Sequence, residues 1–187
     1  MTSPLLAKAR HEGREIVNVT PERAGWTHVG FRALRLAAGD SEALDTGARE
    51  LCVVVLAGKV DVQAGGQSFA NLGTRTQVFD DSAPDAVYVP SNQHVTICAT
   101  RDAEVALCSA PCDAAPRQIK RLDPASMRRS TRGQGSNTRF ICDVLPHDDP
   151  TAAHLLVVEV RTPAGHSSSY PPHIFFNDTP TTETQLE

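Results

Sequence analysis

The sequence has no apolar run long enough to span a bilayer and no secretory leader at its N-terminus. Its first half also has no His-x-His pair, the spacing that commonly supplies two ligands to a metal ion. We therefore expect a cytoplasmic protein without a membrane partner. The isolated His28 and His94 are interpreted as structural or surface residues.

Cysteine is present five times, but the pattern is not that of a zinc site. Cys108 and Cys112 are separated by three residues, and no second pair at ligand spacing follows them, which argues against a zinc knuckle. Cys52, Cys98 and Cys108 lie in apolar, strand-like runs, where a free thiol behaves as a small hydrophobe. We predict that they are buried packing residues in a reducing compartment.

The net charge is -4, and it is unevenly distributed. Residues 111–139 contain seven basic and two acidic side chains, whereas the chain after Arg139 contains one base and seven acids. No aromatic residue is interleaved with the basic run, so we predict a solvated linker and no nucleic-acid partner. Recognition of an anionic small molecule by this run is the alternative.

Short strands with regular turn signals dominate the pattern. Leu51–Leu56 is the clearest, with five branched aliphatics in six residues, and Gly58 is expected to end it. Gly65 and Gly66 predict a hairpin turn, and Thr20 before Pro21 predicts a turn or a short helix start. Further strands are predicted at residues 26–36, 86–89, 95–99, 105–107, 140–145 and 155–161. This rhythm, without long helical periodicity, indicates an all-β sandwich or barrel of the jelly-roll kind.

One stretch concentrates polar groups that can do chemistry. The apolar run that begins at Leu155 suits a largely buried strand, and Pro163 and Gly165 break it into a loop. Two prolines then restrict the backbone just before His173. Ser168, Ser169 and Tyr170 in this loop either hydrogen-bond a ligand or cap the loop.

At this stretch the sequence resembles the 5-deoxy-glucuronate isomerases of inositol catabolism, whose site loop reads Thr-Pro-Ala-Gly and then Ser-Ser-Tyr-Pro-Pro-His. The matching residues are Thr162 to Gly165 and Ser168 to His173. Weaker matches in the same order extend the resemblance over residues 15–173. They are Thr20, Pro21, Ala24 to Trp26, Val29 to Arg32, Leu36 to Gly39, Glu50 to Gly58, Val87 to Pro90, Ser109 to Pro111, Arg132, Gly133, Gly135 to Asn137, Arg139, Leu145 and Pro146.

The resemblance implies a two-cupin aldose-ketose isomerase of the jelly-roll (RmlC-like) class that acts on a sugar acid. The domains are then residues 1–15, an N-terminal arm; 16–110, a complete N-terminal cupin; 111–139, the basic linker; and 140–187, the truncated start of a second cupin. Residues 174–187 form an atypical tail. A homo-oligomer is a further expectation.

The resemblance also implies a divalent metal, expected to be zinc, with His173 as its first ligand. Phe175 occupies the position of the second ligand and offers no lone pair, and Glu183 and Glu187 are the only late carboxylates. A tight zinc site needs three or four protein donors. We therefore expect weak metal binding or none, and a chain that is inactive or nearly so.

The candidate substrate-binding residues are Arg132, Arg139 and Tyr170. The guanidinium group of each arginine matches a carboxylate bidentately. The alternative for the two arginines is a solvated linker pair. His147, His154 and His166 have no spacing that ties them to His173, and no residue is assigned as the catalytic base. Two further alternatives are a non-catalytic cupin that binds a sugar acid or mediates oligomerisation, and an unstable fragment with unpaired strand edges.

Overall fold

The computed structural model describes residues 8–115 and 117–167, and most of the regular structure there is β-strand. One short helix, α1 (Pro21–Ala24), and two 3-10 turns at Pro124–Ser126 and Gly135–Asn137 lie between strands. The strands are β1 (Glu15–Val19), β2 (Gly30–Leu36), β3 (Ser41–Asp45), β4 (Arg49–Ala64), β5 (Gln67–Leu72), β6 (Asp85–Val89), β7 (His94–Pro111), β8 (Lys120–Leu122), β9 (Arg128–Arg132), β10 (Arg139–Leu145) and β11 (Val157–Arg161). The all-β jelly-roll prediction is confirmed.

The first sheet is organised around β4 and β7, which pair antiparallel from Arg49 opposite Pro111 to Ala64 opposite Val95. Each of these long strands has two further partners, one for each half. β7 pairs with β2 and β3, while β4 pairs with β6 and β5. β1 and β8 complete the eight-stranded order β1-β2-β7-β4-β6-β8. Sharing a strand between two neighbours lets one sheet curl around a core.

Aliphatic side chains fill the inside of this sheet. The strand residues alternate, so every second side chain of β4 and β7 points into one cluster. The buried members are Leu34, Leu36, Leu51, Val53, Val55, Val60, Val62, Ala64, Leu72, Val87, Val89, Val95, Ile97, Ala99, Ala103, Val105 and Leu107. Their β-branched shapes fit a pleated surface, and their burial supplies the main stabilisation of this unit.

The prediction that Gly58 ends a strand is wrong, because β4 runs through it to Ala64. Gly58 has φ +81°, and the register with β7 shifts on both sides of it. A Cβ at this position would overlap the carbonyl group of Asp102. The glycine therefore bends a continuous strand, and the two strands predicted at residues 95–99 and 105–107 are likewise parts of one strand, β7.

The capping signal at Thr20 is confirmed as a short helix start. The Thr20 hydroxyl accepts a hydrogen bond from the Arg23 N–H at 3.3 Å, Pro21 is the first helical residue, and Gly25 ends the helix at φ 72°. The predicted hairpin turn at Gly65 and Gly66 is also present between β4 and β5.

Cys52 and Cys108 face each other across β4 and β7 as free thiols. Burial raises the pKa of both, that of Cys108 to about 11, so neither thiol is a ready nucleophile near neutral pH. The prediction of a buried packing residue is confirmed for Cys52, whereas Cys98 and Cys108 are only half-buried.

The chain divides into two compact units, Met1–Arg128 with Asp143–Val158, and Arg129–Cys142 with Glu159–Glu187. The predicted linker, residues 111–139, contains β8 and β9, and β8 pairs with β6 in the first sheet. Leu122 is its buried residue. The division of the chain into two barrels stays a prediction.

A second, three-stranded sheet has the order β11-β10-β9. Two of its strands, β10 and β11, lie close to the predicted residues 140–145 and 155–161, although β11 begins two residues later than expected. No helix in the described part of the chain is long and apolar enough to cross a membrane.

Candidate functional site

The interior of the first sheet offers no set of polar donors, because aliphatic side chains occupy it. His28 and His94 both lie at the surface, as predicted; the His94 Nδ1 is 2.7 Å from the Asp45 Oδ1, and both side chains are exposed. Within residues 8–115 and 117–167, no three His, Cys, Asp or Glu side chains are grouped so that they could hold a metal ion. His173, the predicted first ligand, lies outside these residues, so the metal site stays a prediction.

The loop after β11 begins as the sequence predicts. The His166 N–H donates to the Pro163 carbonyl group at 3.0 Å, and Gly165 adopts φ 77°, so the chain turns here. The loop is then tied to the connection between β9 and β10. The Ser167 N–H donates to the Ser136 carbonyl oxygen at 2.8 Å, and the His166 ring lies 3.0 Å from the Thr138 carbonyl oxygen.

Arg132 and Arg139 flank the β9–β10 connection, Arg132 as the last residue of β9 and Arg139 as the first of β10. Arg132 is exposed, whereas Arg139 is 4% exposed and donates to the Asn137 carbonyl oxygen at 3.4 Å. The Arg139 Nη1 would be 3.3 Å from a Cβ at Gly133, which has φ +75°. Gly133 thus allows a buried guanidinium group to lie against the backbone beside Arg132.

Two of the predicted substrate-binding residues, Arg132 and Arg139, thus flank one strand connection, and the start of the predicted site loop is bonded to that connection. Tyr170 and His173, the other predicted site residues, lie outside the described residues. So do Phe175, Glu183 and Glu187. The part that can be described is a basic strand connection, carrying Arg132 and Arg139, with the Thr162–Ser167 loop bonded to it.

Much of the basic run is neutralised within the first unit. Arg121 makes two hydrogen bonds to the buried Asp85 carboxylate, at 2.8 and 3.0 Å. Arg128 makes two to Asp148, at 2.8 and 2.9 Å, and a third to Asp143 at 3.2 Å. The Arg128 guanidinium group lowers the pKa of Asp148. These charges hold the chain together instead of forming a cationic surface.

Sequence reasoning missed Glu50, a fully buried carboxylate at the start of β4. Its Oε2 accepts from the Tyr88 hydroxyl at 2.8 Å and from the Ala153 N–H at 3.0 Å. Its Oε1 accepts from the His154 N–H at 2.7 Å and from the Leu155 N–H. The only signal in the sequence is a glutamate directly before a strongly apolar strand, which predicts no partner.

The surroundings of Glu50 favour its charged form. Burial is the largest single influence and would raise its pKa, but the hydrogen bonds from Ala153, Tyr88, His154 and Leu155 together outweigh it, and the pKa is lowered. Burial and the hydrogen bond to Glu50 both raise the pKa of the Tyr88 hydroxyl. The pair is therefore an ionised carboxylate with a neutral phenol at neutral pH.

Comparison with known proteins identifies relatives across nearly the whole chain. The family model for the KduI/IolB family matches residues 5–187. The chain is 40% identical over 164 residues to a 5-deoxy-glucuronate isomerase of Geobacillus thermodenitrificans, covering 87% of this chain and 59% of the relative. It is 41% identical over 173 residues to the protein of the same name from Halalkalibacterium halodurans, covering 91% and 63%.

A solved structure agrees with these sequence matches. The crystal structure of an IolB-like protein from Salmonella typhimurium LT2 superposes with a TM-score of 0.84 at 36% identity, covering 89% of this chain and 63% of that one. The chain thus spans about 60% of the length of these relatives.

Proposed function

The chain belongs to the KduI/IolB family, and from this premise we propose that it serves the isomerisation of 5-deoxy-glucuronate to 2-deoxy-5-keto-gluconate in inositol catabolism. The observation that carries the proposal is its identity with the two curated relatives named for this substrate. A second support is that two arginines, Arg132 and Arg139, flank the β9–β10 connection, because the proposed substrate carries a carboxylate group.

The reaction moves a proton between adjacent carbons. A base removes the proton from C2 of the aldehyde form, an enediolate forms, and a proton returned to C1 gives the ketone. Substrate and product are isomers, so no other reactant is consumed. The protein has to bind the distant carboxylate, hold the two carbons in the reacting geometry and stabilise the enediolate oxygens.

We assign recognition of the carboxylate to Arg132 and Arg139, and a hydrogen bond to a sugar hydroxyl to Tyr170. Arg139 lies where the loop from Thr162 to Ser167 is bonded to the β9–β10 connection, and Tyr170 follows three residues after that loop segment. A buried guanidinium group next to a fixed loop suits an anion, since little side-chain freedom is lost on binding.

We further propose that the turnover of this chain is well below that of its relatives. Phe175 lies two residues after His173, at the position where the resemblance expects a second histidine ligand, and a phenyl ring has no lone pair to offer a metal. No step of the reaction is assigned to a metal here, because the described residues hold no suitable group of donors. Metal binding at His173 stays part of the proposal.

The second candidate is a non-catalytic module that binds a sugar acid. The aliphatic interior of the first sheet and the buried Arg139 favour it, because carboxylate recognition at the β9–β10 connection needs no catalytic base. Saturable sugar-acid binding that survives a chelator, without any turnover, would select this candidate over the isomerase.

The test is to follow 5-deoxy-glucuronate by proton NMR in D2O with this chain, its Phe175→His variant and the Geobacillus thermodenitrificans relative. We expect slow ketone formation with deuterium entering at C1, and at least about tenfold faster turnover in Phe175→His. Arg139→Lys should weaken substrate binding, whereas Arg101→Lys, at an exposed position of β7, serves as the matched control.

Two results would count against the proposal. Turnover by the unaltered chain equal to that of the relative would contradict the assigned effect of Phe175. If neither this chain nor Phe175→His shows ketone formation, deuterium exchange or binding, while the relative is active in a parallel sample under the same conditions, the isomerase function itself is rejected.

A further inference from the structure

The segment Ala153–Leu155 has no regular secondary structure of its own, yet three successive N–H groups in it point at one carboxylate. These residues are more than a hundred positions from Glu50 in the sequence. Backbone N–H groups outside helices and sheets still need acceptors when they leave water. Here a single buried side chain supplies all three.

Glu50 also has contacts within the first sheet that do not involve this segment. It lies opposite Ala110 in the β4–β7 ladder, and Tyr88 from β6 donates to its Oε2. The carboxylate is therefore attached to three strands of the first sheet, whereas the segment depends on the carboxylate. Hydrogen bonds to a charged acceptor are stronger than neutral ones. The bond from the Leu155 N–H is buried, and those from Ala153 and His154 are part-buried.

We propose that Glu50 is the positioning residue for the segment Ala153–Leu155, so that one buried carboxylate sets the backbone that orients His154 and leads into β11. The inference stands independently of the proposed function.

The orientation of His154 matters because its side chain borders a cavity of about 920 Å³ on the first unit. The His154 N–H is bound by Glu50, and the ring Nε2 lies 2.9 Å from the Asp113 Oδ1 at the same cavity. Val29 and Phe31 also line this cavity. Releasing the backbone would therefore change one polar wall of this cavity.

Several titratable groups surround the contact and have to be separated in any test. Tyr88 donates to Glu50, and Cys112 and Arg117 act electrostatically on Tyr88. His154 is paired with Asp113, whose pKa is lowered mainly by that hydrogen bond. Asp113 and Glu50 therefore both lose their charge at acid pH, and an Asp113 variant is needed to distinguish them.

The first test is hydrogen exchange of the full chain, measured by NMR for the unaltered protein and for Glu50→Gln. Glutamine keeps one acceptor oxygen but turns an NH₂ group toward at least one of the three N–H donors. We expect the amides of residues 153–155 to exchange at least about tenfold faster in the variant, with the β4 and β7 amides changed less than about twofold. Equal exchange in both proteins would overturn the proposal.

The second test uses the unaltered protein and so does not depend on the variant folding. On acidification, the amide resonances of residues 153–155 should move together with the Glu50 side-chain carbon, in one transition that Asp113→Asn leaves in place. Resonances that follow Asp113 instead, or that stay fixed while Glu50 titrates, would reject the proposal. A purely structural packing role predicts no shared transition.

Tyr88→Phe is the matched control, because it removes one hydrogen bond to Glu50 and leaves the three N–H contacts. Protection of residues 153–155 should stay within about twofold of the unaltered chain. An increase as large as in Glu50→Gln would show that the segment depends on general packing around β6. Failure of the isomerase assay alone would leave these exchange results, and hence this inference, unaffected.

Discussion

Removing the Asp85 carboxylate should destabilise the first unit more than any exposed ion pair does. Asp85 is 2% exposed, accepts from the Gly73 N–H at 3.0 Å and receives two hydrogen bonds from Arg121. It therefore joins β6 both to the chain after β5 and to β8. Asp85→Ala leaves the Gly73 N–H without this acceptor and Arg121 without its counter-ion.

The size of the expected stability loss follows from how far each hydrogen-bond partner of Asp85 is buried. Leaving a buried N–H unsatisfied costs about 1–3 kcal/mol. The Arg121 side chain is 48% exposed, so it can recover water, and losing its pair adds about 1 kcal/mol instead of the 3–5 kcal/mol of a fully buried pair. We expect a total of about 3 kcal/mol in the free energy of unfolding, or a fall in Tm of about 6–12 °C.

The assay is urea unfolding followed by far-UV circular dichroism, with the double-mutant cycle Asp85→Asn and Arg121→Gln to isolate the pair. Arg128→Gln is the control, because the ion pairs of Arg128 with Asp143 and Asp148 are more exposed than that of Arg121 with Asp85. It should lower the free energy of unfolding less than Asp85→Ala does. A loss below about 1 kcal/mol for Asp85→Ala would refute the reasoning, because the Gly73 contact alone should exceed it.

Three further outcomes are expected from the same unfolding assay. Ile97→Ala, at a fully buried site, should cost about 2–5 kcal/mol, whereas Leu156→Ala, at a half-exposed site, should cost much less; equal costs would contradict the assigned core. Gly58→Ala should destabilise through a clash with the Asp102 carbonyl group and an unfavourable φ, and an unchanged Tm would exclude that bend. Folding lowers the pKa of Glu50, so its contribution to the free energy of unfolding is fully present above the usual glutamate pKa of 4.5 and is lost as the pH falls through the folded pKa. The difference in stability between the unaltered chain and Glu50→Gln should therefore shrink in acid. A difference that grows in acid would contradict the assigned direction of the pKa shift.

Local sequence patterns were sufficient for the strands that are apolar throughout. The branched aliphatics from Leu51 onward predicted the centre of β4, and Gly65 with Gly66 predicted the turn after it. The same reasoning treated Gly58 as a stop, although the close approach of β7 at Asp102 makes glycine necessary inside a continuing strand. Whether a glycine ends or bends a strand depends on its neighbours in space.

The polar features of the fold were not predicted from the sequence, for a related reason. β8 reads Lys-Arg-Leu, and one buried leucine among charged residues gives no periodicity to detect. The contact from Glu50 to residues 153–155 joins parts of the chain that are more than a hundred residues apart, so no window of sequence contains it. The burial of Arg139 was not foreseen either, because the family motif gives residue types and not their exposure.

The shared pairing of β4 with β7 also bears on how the chain folds. Their partners are 31 residues apart in sequence at the pair Ala64–Val95 and 62 residues apart at the pair Arg49–Pro111. Each doubling of loop length adds about 0.6 kcal/mol of closure entropy. Pairing should therefore begin beside Ala64 and travel toward Arg49, crossing the bend at Gly58 on the way. Glu50, at the far end, would be placed late, and the residues it holds would be ordered last.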